Sequence, residues 1–138
     1  MSESLVQRAG AKAVIEAEGG LLVLHPSPID LNRNWQWPGG IRDDIEEPLI
    51  DTCLREVDEE TGIDLTGIPH KLLRYGEWEA VDKGERVKIL ALFFHFILPE
   101  RPWPILSHEH DDHDWINRAN YLDFEANPEV HEVVEQVL

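Results

Sequence analysis

Glu56, Glu59 and Glu60 stand at i, i+3 and i+4, the spacing that puts three side chains on one face of a helix. Three acids held so close repel one another unless a cation lies among them. Carboxylate oxygens are the ligands that a hard divalent ion such as Mg²⁺ prefers. Arg55, permanently cationic, stands beside Glu56 and suits the task of pairing with a carboxylate and fixing its rotamer. Upstream, Gly39-Gly40 gives a turn in which the backbone can approach a bulky anionic ligand closely.

Taken together, Gly39 to Glu47 followed by Arg55-Glu56-Val57-Asp58-Glu59-Glu60-Thr61-Gly62-Ile63 resembles the Nudix box. That pattern reads G, five residues, E, seven residues, then R-E-hydrophobic-any-E-E-any-G-hydrophobic. The second half matches through Arg55, Glu56, Val57, Glu59, Glu60, Gly62 and Ile63. The first half carries six residues between Gly40 and Glu47 where the pattern has five. Either the loop holds one extra residue, or Glu46 takes the place of Glu47 on a shifted helix start. Sliding the helix by one residue would turn every side chain by about 100°. The expectation is therefore a bulged loop, with Glu47 as the acid beside the metal helix.

The resemblance implies a Mg²⁺-dependent hydrolase, with Mn²⁺ able to substitute, that breaks a diphosphate linkage by attack of water. Diphosphates resist such attack because their oxygens repel a nucleophile. Metal ions offset that charge and lower the pKa of a bound water. Glu56, Glu59, Glu60 and Glu47 are the implied metal ligands, and Glu59 and Arg55 belong to the catalytic set. Nudix proteins often carry a Glu-His pair shortly before a strand containing Trp. Glu109 in Ser107-His108-Glu109-His110-Asp111-Asp112-His113-Asp114-Trp115 matches it as general base or further ligand, with Asp112 as second choice. His108, His110 and His113 also raise a zinc reading, which lacks the usual ligand spacing. The bland reading of this segment is a solvated polar loop.

Composition fits that chemistry. The chain has 138 residues, 42% of them apolar and 29% charged, which suits a single domain with a core of its own. Twelve Lys and Arg against 28 Asp and Glu leave a net charge of −16, which argues against binding nucleic acid or an anionic membrane. A nucleotide remains an acceptable substrate wherever metal has neutralised the acids. The single cysteine, Cys53, excludes an intramolecular disulfide and fits a reducing compartment. No apolar run approaches the roughly 20 residues that cross a bilayer. The start, Met1-Ser2-Glu3-Ser4, does not read as a signal peptide, so a cytoplasmic location is expected. A homodimer is compatible with all of this.

The elements that must position these residues are legible in outline. Ala9–Glu16 and Leu21–Leu24 read as a hairpin. Pro26 to Asn34 reads as a loop leading to a short strand, Trp35-Gln36-Trp37, stopped by Pro38 and the two glycines. A helix is expected from near Glu47, with Pro48 in its first turn, Ile50, Cys53, Leu54 and Val57 as its apolar stripe, and Gly62 as its cap. Lys71–Val81 and Arg86–Leu98 read as strands joined by a turn at Asp82–Glu85. Pro99–Pro104 reads as a loop and Asp114–Ile116 as a short strand. Asn127 precedes a terminal helix with Val130, Val133, Val134 and Val137 at core spacing. Strands dominate, so a mixed β-sheet covered by helices follows, the same α/β/α sandwich of the α+β type that the resemblance implies. Buried packing is the leading reading for Trp35 and Trp37, and Trp37 is the candidate for stacking on a nucleobase as the alternative. Tyr75, Trp78 and Arg86 are candidates for base or phosphate contacts.

The expected substrate is a small nucleoside diphosphate derivative. A nucleoside triphosphate cleaved by a sanitising pyrophosphohydrolase is the alternative within the enzyme class. A dinucleoside polyphosphate or an RNA 5′ end is also compatible, the second disfavoured by the few basic residues. A nucleotide sensor without catalysis is the alternative outside that class. The attached group is not legible in the residues.

Overall fold

Alternating apolar residues make β1 (Val6–Ala17) the strand on which the rest is assembled, and the computed structural model describes residues 5–27 and 34–138. β1 turns back into β2 (Gly20–Pro26) through Glu18 and Gly19, both at positive φ. That conformation matches the twist of a two-residue hairpin. Lys83 and Gly84 repeat the device between β4 (His70–Asp82) and β5 (Glu85–Leu98). β3 (Gly39–Ile41) and β6 (His110–Ile116) complete a six-stranded sheet of order β4-β5-β1-β2-β6, with β3 paired to β1. β1 and β5 run parallel, from Val6 opposite Val87 to Ala17 opposite Leu98, and the other pairings are antiparallel. The sheet is mixed, as expected.

Each face carries a helix. α1 (Leu49–Thr61) lays Cys53 and Val57, both fully buried, with Leu49, Ile50 and Leu54 against Ala11, Ala13, Ile15, Leu22 and Leu24. α2 (Pro128–Val137) covers the other face with Val130, Val133 and Val134 against Val14, Leu21, Val23 and Phe93, while Val137 packs at the edge of that cluster. Burying such side chains stabilises by about 1.5–3 kcal/mol each. Gly62 ends α1 in the left-handed conformation, its N–H donating to the Asp58 carbonyl at 2.8 Å.

Four expectations need correction. Trp35-Gln36-Trp37 is no strand; it makes two isolated bridges, Leu24 with Gln36 and Trp35 with Ala126. The glycines expected to stop a strand form one instead, because only a residue without Cβ fits at Gly39. A Cβ there would stand 2.1 Å from the Ala11 carbonyl oxygen. β6 begins at His110, not Asp114, since backbone pairing to buried β2 holds its polar residues in the sheet. Pro48 is extended (φ −58°, ψ 141°) and precedes α1 rather than lying in its first turn. The expected loop from Pro26 to Asn34 falls largely outside the described residues.

Candidate functional site

Glu60 ends up where a carboxylate is least comfortable. It lies in the last turn of α1 and is only 5% exposed, with its side chain turned towards β3. There the Gly39 N–H donates to Glu60 Oε1 at 2.7 Å. Burial pushes the Glu60 carboxyl up to about 8, against the opposing pull of the Lys12 charge and the Gly39 N–H. The negative charges of Glu56 and Glu109 push in the same direction as burial. Glu56, one turn earlier, lies under Gly40, where an added Cβ would stand 2.5 Å from its carboxyl carbon. Burial, followed by the charge of Glu59, raises its pKa, while Arg55 opposes.

Arg55 ties the remaining acids together. Its Nε and Nη2 donate to the two oxygens of Glu47 at 3.1 and 3.0 Å, a fork on a carboxylate. Its Nη1 donates to Glu56 at 3.0 Å and to Glu59 at 3.4 Å. Thr52 adds its hydroxyl to Glu47 Oε1 at 2.6 Å, and these bonds, Arg55 first, hold the Glu47 carboxyl below its ordinary value. Glu46 is exposed, so Glu47 is the acid that meets the helix. Asp44 gathers the additional residue into a turn, its carboxylate accepting from the Glu46 N–H and its carbonyl from that of Glu47. Both Glu47 oxygens are thus engaged by Arg55, and the carboxylate anchors the arginine beside the other acids.

The third wall comes from the far end of the chain. Residues 105–107 strap the end of α1, with the Ile105 N–H on the Thr61 carbonyl at 2.8 Å and the Ser107 N–H on the Glu60 carbonyl at 3.1 Å. Carbonyls that a helix end leaves unpaired are thereby satisfied. Two residues on, the Glu109 carbonyl accepts from the Ser27 N–H at 2.9 Å. Glu60, Glu109 and His110 each offer a ligand atom, all within 4.8 Å of one another. Lys12, Ser27, Gln36 and Gly39 complete the lining of a cavity of about 310 Å³ around them.

Of the residues singled out in the sequence, Glu56, Glu60, Arg55, Glu47, Glu109, Gly39 and Gly40 come together. Glu59 belongs to the same network but at its rim, its side chain 59% exposed. Adjacent helical residues diverge by about 100°, so rolling Glu60 inward carries Glu59 outward. Two candidates are not at the site. Trp37 is 2% exposed and packed with Val14, Leu21 and Val23, so its faces meet side chains instead of a base. Arg86 is exposed on β5 and pairs with Glu79 at 3.0 Å. Asp112 is exposed on β6. The three histidines do not converge: His110 is buried, His108 is exposed, and His113 meets the Trp103 ring at 4.9 Å.

Lys12, Gln36 and His110 are site residues that the motif did not announce. His110 carried a signal, through its place beside Glu109, whereas Lys12 and Gln36 reach the site only through pairing. A larger cleft, about 930 Å³, lies elsewhere, between β4 and α2, and Trp78, Arg74, Phe93 and Asn127 help to line it. The acids decide the matter in favour of the smaller cavity. Carboxylates gathered at a helix end, cradled by glycines that leave no room for a Cβ, fit a hard divalent cation. Cys53 is fully buried and its thiol is pushed up to about 12, which removes it as a nucleophile.

Comparison with known proteins agrees with this geometry. Residues 6–137 match the model of the NUDIX domain. No curated protein matches the chain. Among solved structures, the E. coli dihydroneopterin triphosphate pyrophosphohydrolase superposes with a TM-score of 0.75 at 20% identity, over 96% of this chain and 97% of that one. The NUDIX domain of Shewanella oneidensis NrtR, solved with ADP ribose, gives 0.74 at 18% identity, over 98% and 87%. A MutT protein from Methanosarcina mazei Go1 gives 0.73 at 26% identity, over 98% and 95%.

Proposed function

The chain belongs to the Nudix family, and from that premise we propose that it is a Mg²⁺-dependent pyrophosphohydrolase opening the diphosphate linkage of a nucleoside diphosphate derivative. Mn²⁺ substitutes for Mg²⁺ in this reading. The observation that carries it is the convergence of Glu60, Glu109 and His110, with ligand atoms within 4.8 Å of one another, beside half-buried Glu56 under Gly40. A bound divalent ion supplies charge neutralisation of the diphosphate and a bound water of lowered pKa.

The chain's own residues do the rest. Glu56 and Glu60 would hold the ion, with Glu59 at the rim of the same network. Arg55, locked by the Glu47 fork, fixes Glu56 and Glu59. Glu109, exposed at the mouth, would serve either as a further ligand or as the base that takes the proton of the attacking water. The N–H of Gly39 fixes Glu60, and Gly40 leaves the backbone open to phosphate oxygens.

A nucleoside triphosphate is the second reading, and the triphosphate-cleaving enzyme of similar fold makes it worth separating. A nucleotide sensor has no use for a complete acidic cage, which speaks against that third reading. The test is a panel of nucleotides and nucleotide sugars assayed with Mg²⁺ and with Mn²⁺, the products resolved. Two phosphomonoesters from a nucleotide sugar are the expected result. Inorganic pyrophosphate from a triphosphate would favour the second reading, and no turnover across the panel would overturn the assignment as an enzyme.

A further inference from the structure

The 310 Å³ cavity holds one donor that an all-oxygen Mg²⁺ site does not require. His110 is the first residue of β6, 6% exposed, and its Nδ1 lies 3.9 Å from Glu60 Oε2. Its position is set by an irregularity in the sheet. Trp115 packs with the cluster beneath α1, and His113 stands opposite Leu24 of that same cluster. Strict alternation would bring Asp111 to this face next. The register slips instead: Asp112 is opposite His25, and His110 is opposite Pro26. Asp111 is skipped and pairs with His25 Nδ1 at 2.7 Å, while His110 is delivered to the face that carries Glu60. Bulges commonly re-aim a side chain in this way beside a functional site.

The other ring nitrogen is engaged as well. The Gln36 amide nitrogen stands 2.9 Å from His110 Nε2, so without metal its N–H donates to the ring. Turning that amide by half a revolution makes Gln36 Oε1 the acceptor of a proton on Nε2. In that arrangement, which metal at Nδ1 would favour, the proton sits on Nε2 and the Nδ1 lone pair is directed to the acids. A histidine that ligates metal is held in this manner, its second nitrogen donating to an oxygen. Two donors each about 2.1 Å from one ion stand roughly 3.0 to 4.2 Å apart, depending on the angle between them. The 3.9 Å between Nδ1 and Oε2 lies inside that range.

We propose that His110 is a nitrogen ligand to the divalent ion of this site, through Nδ1, and that it shifts the site's preference from Mg²⁺ towards Mn²⁺. The inference rests on the metal-site reading above and adds to it the identity of one donor. Mg²⁺ takes oxygen, keeps its waters and accepts imidazole poorly, whereas affinity for a nitrogen donor rises along the transition series. Gln36 is then a positioning residue, acting on the ion only through the histidine.

Pulsed electron paramagnetic resonance on the full chain loaded with Mn²⁺ alone reads the donor directly, without substrate or turnover. Modulation from ¹⁴N is expected, and growth on ¹⁵N-histidine should change its frequency in the unsubstituted protein. His110→Gln should lose the modulation and weaken Mn²⁺ by on the order of 10- to 100-fold, the scale of a disturbed ligand shell. Its Mg²⁺ affinity, read by calorimetry, should change far less. Gln36→Leu should weaken Mn²⁺ in the same direction by a smaller factor. Mn²⁺ bound without nitrogen modulation would overturn the role of His110 and leave the carboxylate site standing. Nitrogen modulation that survives in His110→Gln would overturn it too. Failure to bind Mn²⁺ at all would overturn the metal-site reading together with the proposal.

Discussion

At the scale of single residues, Glu60 is the group whose surroundings matter most. Its carboxyl titrates near 8 in the folded chain and near 4.5 as an ordinary glutamate. Between those values the folded state holds a proton that the unfolded state has lost, so metal-free stability falls as pH rises from about 4.5 to about 8 and is level above. Glu60→Gln removes the ionisation while keeping the shape. The variant should melt higher than the unsubstituted chain near about pH 9 and equally near about pH 4, in thermal scans without metal. The same variant should lose on the order of 10²-fold or more in turnover, as loss of a charge aimed at the reaction commonly does. Arg55→Lys keeps the charge but cannot make the fork on Glu47. Turnover should fall about 10-fold or more with little change in melting, as kinetics beside thermal scans will read. Arg55 and the three helix acids were legible because a motif is a statement about side chains at fixed spacing. Glu60's burial and Glu59's exposure were not, since spacing along one helix does not say how the helix is rolled against its neighbour.

At the scale of elements, the short strand β3 carries the strongest steric constraint. Gly39→Ala would drive a Cβ to 2.1 Å from the Ala11 carbonyl, at a φ of +146° that L side chains rarely adopt. Backbone on both sides cannot yield, so a loss of several kcal/mol is expected, on the scale of the largest single-substitution effects, read as a fall in the urea midpoint. Gly40→Ala differs, because its Cβ would meet only the end of the Glu56 side chain. That side chain can move away, so melting should change by about 1 kcal/mol or less while turnover and metal affinity fall sharply. Equal losses in both variants would contradict this division. Helix α1 was readable from its apolar stripe and its glycine cap. β3 was hidden because two glycines look like a stop when nothing in the sequence shows the partner strand they must lie against. The strap at residues 105–107 was equally hidden. Backbone N–H groups make it, and these have no signature in residue type.

At the scale of the molecule, the acids predict a response to metal. An ion that binds the folded state alone adds RT ln(1 + [L]/Kd), about 2.7 kcal/mol when free ion is a hundredfold above Kd. Melting should therefore rise with Mg²⁺ or Mn²⁺. An unchanged midpoint at saturating metal would mean that ions come only with substrate, or that the acids are simply solvated. Net charge and the order of elements were legible at this scale. The parallel pairing of β1 with β5 was not, because alternation in a strand is silent about its neighbour and direction. That pairing has a consequence in time. It joins Val6 to Val87 and Ala17 to Leu98, so the central strand waits for a partner that is remote along the chain. Such long-range closure places a protein among the slower folders, in milliseconds to seconds. The strap and Glu109 lie still further along the chain, after β5, and we expect the cage to be completed late in folding. Ligands absent from the folding transition state slow unfolding and leave folding untouched. Saturating Mn²⁺ should lengthen the lifetime of the folded chain in stopped-flow dilution, while its rate of formation stays as it was.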